Sequence, residues 1–452
     1  MQPRRQNGKA FLCSLFLGAA IGVVVPPAEA GSCPAGKLMS AATIACRGFA
    51  ERGVFCQPLS EARRELLPGV GYYTLQVQVG PGEHDVITLH RVVAEPRPGH
   101  PGIARKAVFM INTALFGFES AFLGLTLYAE PPQVSLPVFL AQNGVDTWGI
   151  SFRWAQIPVG FPDQSFMADW GMDVSVSDSR IGLRVARVAR LLSGQGGRRL
   201  HVLGYSFGAW TAMALANAEA AEPPPGRDIA GLIPVEATFK ADPANQVYIQ
   251  PWCAAADSYQ GLLDAGHFAF DRSAIARFNQ TALDFPNEPS PIMPGFTNAQ
   301  AKMARTSWPQ GSPGSEWFHA LAGTSDENGM PTGFVYTDFV LACVIPTKVY
   351  GFDPVRYVMN VNAITCDGPD VPWDDHLSEV RVPVLYVGAG GAYGSLGEHQ
   401  TQLLGSDDVT TLVVRQQPEE LAALDIGHND ILWSPAMRDF FWRPILNWVR
   451  KH

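Results

Sequence analysis

Leu200-His201-Val202-Leu203-Gly204-Tyr205-Ser206-Phe207-Gly208-Ala209-Trp210 joins an apolar run, a G-x-S-x-G pentapeptide and the start of a small-residue segment. The apolar run predicts a buried strand, and the alanine-rich stretch 209 to 221 predicts a helix. A serine at such a junction projects from a sharp strand-to-helix turn. Glycines two residues before and after it leave room for strained backbone angles and close packing. The helix start aims free amides at developing negative charge. Ser206 is thus a candidate nucleophile, and the amide of Phe207 a candidate oxyanion donor. In a chain with 44 glycines the pentapeptide alone is common by chance. The strand before it and the helix after it give it weight.

On either side of this junction the same rhythm recurs. Short, nearly continuous apolar runs at 107 to 111, 147 to 152, 229 to 235, 382 to 387 and 410 to 414 suit strands covered on both faces. Between two of them, residues 178 to 192 carry Ile181, Val185, Val188 and Leu192 on one helical face. Strand alternating with helix predicts a doubly wound, mostly parallel α/β sheet. Ahead of it, the alternating stretch 73 to 79, Gly80-Pro81-Gly82 and the β-branched stretch 85 to 93 predict an amphipathic hairpin. A terminal amphipathic helix is expected over 437 to 449. From 241 to 378 the alternation stops, and prolines and aromatics such as Trp252, Phe268, Phe270, Trp308 and Phe318 accumulate. This stretch is expected to be an inserted cap over the sheet's carboxyl edge. The core then comprises 70 to 240 and 379 to 452.

Composition sets outer bounds. The 452 residues are 47% hydrophobic and 17% charged, enough for one large core and outside the range of disordered chains. With a net charge of −9 and no basic run at either end, the chain has nothing that attracts nucleic acid over distance. Residues 1 to 30 carry Arg4, Arg5 and Lys9, an uncharged stretch from Ala10 to Val25, and Ala28-Glu29-Ala30, the pattern of a signal peptide cleaved after Ala30. The uncharged stretch is shorter than the roughly 20 residues that span a bilayer, so no stable transmembrane anchor is expected. Export to the periplasm or the exterior is the consequence. Residues 31 to 69 form a cysteine-containing extension. With Cys13 removed, Cys33, Cys46, Cys56, Cys253, Cys343 and Cys366 remain, an even number that favours disulfides in an exported chain. They fall into two groups of three, so complete pairing requires a bridge between the groups. No C-x-x-C or H-E-x-x-H occurs, so neither a metal site nor a cofactor is expected.

A serine hydroxyl needs a positioned base. His84 and His90 fall in the hairpin, His201 in the strand feeding the turn, and His267 and His319 in the cap. His428, in Leu424-Asp425-Ile426-Gly427-His428-Asn429-Asp430, comes after the last expected strand, where a loop can fold back over Ser206. G-Y-S-F-G after an apolar strand, the later Val382-Pro383-Val384-Leu385-Tyr386-Val387 and this G-H-N-D loop together resemble the α/β-hydrolase superfamily over roughly residues 70 to 240 and 379 to 452. The resemblance implies a Ser-His-acid triad and no cofactor. Its acid often comes after the strand that here ends at Val387, yet Gly388 to Gly394 contains no carboxylate. Some members place it after the preceding core strand, where Glu236 ends Ile229 to Val235, and Glu236 is the first choice. Glu398, Asp425 and the Asp407-Asp408 pair are the alternatives. The second oxyanion amide is expected in the loop Asn112 to Gly117, at Thr113.

These expectations point to a secreted hydrolase of small or lipid-like carboxylic esters. The same triad would serve a peptidase, an amidase or an acyltransferase. A hydrolase scaffold that has lost activity and only binds is the reading from another class.

Overall fold

The computed structural model describes residues 38–112, 115–308, 318–366 and 370–452. The expected signal segment, Cys13, Cys33 and Thr113 lie outside the described residues. Nine strands form one sheet: β1 (Gln57–Leu67), β2 (Val70–Gln78), β3 (Val86–Ala94), β4 (Lys106–Ile111), β5 (Val145–Ser151), β6 (Leu200–Tyr205), β7 (Ile229–Val235), β8 (Val384–Ala389) and β9 (Val409–Val414). Their order across the sheet is β1-β2-β3-β5-β4-β6-β7-β8-β9. β1 with β2, β2 with β3 and β3 with β5 pair antiparallel, and every pairing from β5 to β9 is parallel.

The apolar runs form strands because both faces are covered. In β4, Ala107, Phe109 and Ile111 enter one core and Val108 and Met110 the other, which is the two-residue period of a strand. β6 divides likewise, with Leu200 and Val202 on one side and Leu203 and Tyr205 on the other. The first core is closed by α1 (Leu38–Ala50), α2 (Met172–Leu192) and α3 (Phe207–Ala220); α4 (Trp442–Lys451) closes the second. In α4, Trp442, Ile445, Leu446 and Val449 are buried on one stripe, each worth about 1.5–3 kcal/mol of transfer free energy.

The sequence left several features unread. Residues 38–67, expected only as a cysteine-containing extension, form α1 and the edge strand β1, joined by the Cys46–Cys56 disulfide. α2 starts six residues before the expected 178, and Leu192 at its end is exposed because the last turn runs past the core. The stretch 241 to 378 is mainly helical, with α5 (Gln246–Asp264), α6 (Ser273–Asp284), α7 (Asn298–Ser307) and α8 (Val355–Cys366). α5 and α8 pack together and are linked by Cys253–Cys366. Each bridge therefore lies within its own cysteine group, none joins the two groups among the described residues, and Cys343 is a buried free thiol. Burial pushes that thiol up to about 11. Among the described residues no helix is long and apolar enough to cross a membrane.

Candidate active site

Tyr205 and Val235 are register partners at the carboxyl ends of β6 and β7, so the residues after them start about 4.8 Å apart. Both take a positive φ that side-chain-bearing residues rarely adopt: Ser206 has φ 53° and Glu236 φ 53°. The sheet holds them there. Ser206 N–H donates to the Val235 carbonyl at 3.0 Å, and Glu236 N–H donates to that of Val387 at 2.8 Å. The flanking glycines are obligatory for contact reasons. A Cβ at Gly204 would stand 2.4 Å from the Gly208 carbonyl oxygen, and one at Gly208 would stand 2.2 Å from that of Ile111 and 2.5 Å from that of Asn112. The second contact also shows that the chain leaving β4 runs directly against the first turn of α3. The Phe207 amide at that helix start and the loop after Ile111 are thereby brought together, although Thr113 itself lies outside the described residues.

His428 arrives from the loop after β9. Its ring stacks on Tyr205, centroids 5.0 Å apart, and the Tyr205 hydroxyl lies 3.1 Å from the His428 carbonyl and 2.6 Å from Asn429 Oδ1. The residue before Ser206 thus carries the histidine loop. His428 Nδ1 is 2.8 Å from Glu236 Oε2. The Glu236 carboxylate is fully buried and accepts two backbone N–H groups besides, Ala389 to Oε1 at 2.6 Å and Tyr393 to Oε2 at 3.3 Å. These donors fix the orientation of the carboxylate, so that Oε2 faces the imidazole.

The alternative carboxylates are elsewhere. Asp425 accepts the amides of Gln416, Gln417 and Ile426, which shapes the approach to the histidine loop. Glu398 leads into the short helix His399–Gln402 and has no bond to His428. Asp407 and Asp408 precede β9 at the amino edge of the sheet, where Asp408 Oδ2 lies 3.1 Å from His452 Nε2. Of the other histidines, His90 is buried between Tyr72 and Ser151, and burial drives it down to about 3. His267 is exposed, and His84 packs on Phe161 and Phe166.

Sequence reasoning missed the residues that brace the site. Asp430 accepts the amides of Ala322 and Gly427 and the hydroxyl of Thr337, and the His319 carbonyl accepts the His428 amide at 3.0 Å. The insertion therefore clamps the loop that carries His428. Burial raises Asp430 to about 6. Rings of Phe318 and Tyr393 stand 5.2 and 5.8 Å from that of His428, while the Tyr357 hydroxyl donates to the Phe207 carbonyl at 2.9 Å. The D in G-H-N-D and the aromatic content of the insertion were the available signals. Among the described residues no group of His, Cys, Asp and Glu is arranged to hold a metal ion.

No protein-family profile and no curated protein sequence matches the chain. Solved structures do. A candidate lipase from Sulfolobus solfataricus superposes with a TM-score of 0.57 at 17% identity, covering 85% of this chain and 95% of that one. A soluble variant of monoglyceride lipase from Saccharomyces cerevisiae, at 12% identity and a TM-score of 0.45, covers 81% and 92%. A proline iminopeptidase from Mycobacterium smegmatis, at 12% and 0.39, covers 81% and 95%. The chain has the α/β-hydrolase fold.

Proposed function

We propose that the protein is an exported serine hydrolase of carboxylic esters, released from its signal peptide near Ala30. Ser206 Oγ attacks the ester carbonyl and passes its proton to His428 Nε2. The imidazolium keeps its Nδ1–H on Glu236, whose charge stabilises it. Amides of Phe207 and of the loop after Ile111 receive the oxyanion. His428 then protonates the leaving alcohol, and water, deprotonated by the same histidine, releases the acyl group.

The observation behind this reading is the 2.8 Å contact of Glu236 with His428, both against the strained turn that carries Ser206. A binding surface has no need of such a pairing. Phe318 and Tyr393 pack on each other and on His428, surroundings that suit an apolar acyl or alcohol group. The Sulfolobus solfataricus relative, a candidate lipase, agrees with ester chemistry.

The test is hydrolysis of p-nitrophenyl esters of rising chain length by the oxidised mature protein, with labelling of Ser206 by an organophosphonate. Ester turnover that disappears in Ser206→Ala and His428→Ala is the expected result. Labelling without ester turnover would move the reading to amides or acyl transfer, and neither labelling nor turnover would leave a binding protein.

A further inference from the structure

The candidate catalytic groups occupy the carboxyl edge of the sheet. At the opposite, amino edge lies a cavity of about 330 Å³ lined by Arg105, Lys106, Arg187, Arg198, Arg199 and His201. Two adjacent parallel strands supply it, because each begins on a basic pair: Arg105-Lys106 leads into β4 and Arg198-Arg199 into β6. The pairing of Val108 with His201 sets these pairs side by side.

Much of this charge is uncompensated. Arg187 is held by Asp228 at 2.6 Å, which also carries Arg184, and Arg199 donates to the Pro224 carbonyl. Asp408 faces His452 on the cavity wall. Arg105, Lys106 and Arg198 have no ion pair among the described residues. Burial and the Arg198 charge hold the Lys106 ammonium below its ordinary range, the mark of cations gathered against their mutual repulsion. His201 is 2% exposed and packs on Trp448, and burial drives it down to about 4, so it closes the cavity wall as a neutral ring.

We propose that this cavity binds a dianionic phosphate group, as inorganic phosphate or as the phosphate of a small monoester. Guanidinium forks arriving from separate strands match phosphate oxygens, and the volume suits a small molecule. A net charge of −9 disfavours an extended polyanion, which is repelled over distance by the rest of the chain. This inference is independent of the catalytic reading, since none of Ser206, Glu236 and His428 lines the cavity.

Calorimetric titration of the oxidised full chain with inorganic phosphate, and separately with glycerol 3-phosphate, at constant ionic strength in chloride, tests it. Saturable binding of one anion per chain is expected. It should weaken about 10-fold or more in Arg105→Ala and in Arg198→Ala, whose side chains are exposed enough to be removed without unfolding, as unchanged melting without phosphate would verify. Binding of glycerol 3-phosphate should tighten between pH 5 and 7 as the monoester loses its second proton near pH 6. Tighter glycerol 3-phosphate would identify an esterified ligand, and tighter inorganic phosphate the free anion. Non-saturable binding, or equal affinity in wild type and both variants, would overturn the proposal.

Discussion

Glu236→Gln changes one oxygen for an amide nitrogen, and its effect depends on the partners that each carboxylate oxygen holds. Oε1 accepts from Ala389 N–H at 2.6 Å, while Oε2 faces His428 Nδ1 at 2.8 Å and Tyr393 N–H at 3.3 Å. With the new carboxamide oxygen kept on Ala389, its NH2 points at His428 Nδ1. The histidine must then carry its proton on Nε2, where it cannot accept one from Ser206. Turning the carboxamide over restores the productive tautomer but sets its NH2 against the Ala389 N–H, leaving that buried amide without an acceptor at a cost of about 1–3 kcal/mol. The turned form still lacks the charge that stabilises imidazolium, worth about 1–2 kcal/mol more. At 1.36 kcal/mol per decade, the two terms predict a kcat loss of about 30-fold to about 5,000-fold. The tautomer effect in a Ser-His-Asp triad, about 10⁴-fold, lies near the upper end. KM should change little, since the carboxylate is buried away from substrate. Steady-state kinetics on p-nitrophenyl butyrate, with melting curves to verify folding, provide the assay. A folded Glu236→Gln protein within 10-fold of wild-type kcat would refute the assignment of the acid.

Gly208→Ala, whose Cβ would stand 2.2 Å from a backbone carbonyl, should lower both melting temperature and kcat, by about 1–3 kcal/mol in stability; Gly261→Ala, with nothing within 4 Å inside α5, should instead stabilise by about 0.5–1 kcal/mol. Tyr205→Phe removes the hydroxyl that holds the His428 loop and is expected to reduce kcat about 10-fold without a matching change in KM; an unchanged kcat would show that Asn429 and Asp430 suffice. Cys253→Ser opens a bridge spanning 113 residues, and a loss of about 2–5 kcal/mol in denaturant unfolding is expected, compared against the oxidised protein. Asp430 is raised to about 6 from an ordinary 3.8, so between those values the folded chain holds a proton that the unfolded chain has released. Stability should fall as pH rises from 4 to 6, by up to about 3 kcal/mol from this group. Asp430→Asn should flatten that slope in urea melts, and an unaltered slope would exclude the assignment.

The parallel half of the sheet was legible because burial on both faces writes a strand as a continuous apolar run, and 229 to 235 agrees with β7 residue for residue. The amino-terminal edge was not. β1 pairs on one side only and is exposed along much of its length, so Gln57–Leu67 carries charges and no alternation that marks a strand. The helix before it depends on packing against α2, a contact between distant segments that no local pattern records. The stretch 241 to 378 was unread for a related reason: its longest helix, α5, carries Pro251 inside it, which breaks the helical signal in the sequence.

The site divides the same way. Ser206 was legible from five residues, because the elbow is a local steric problem that only glycine at 204 and 208 solves. Glu236 required the register of two parallel strands, and the sequence could offer it only among several carboxylates. What separates it from Asp425 is geometric. Asp425 lies three residues from His428, yet its oxygens are taken by the amides of 416, 417 and 426, whereas Glu236, 192 residues away, meets the ring. Proximity along the chain is a poor guide here because a residue so close to the histidine is needed to build the turn that presents it. Asp430 makes the same point from the other side, since its three bonds tie that turn to the insertion. The histidine is therefore positioned by two carboxylates that do not touch substrate and oriented by a third, and only the third should govern the pH-independent rate of the chemical step.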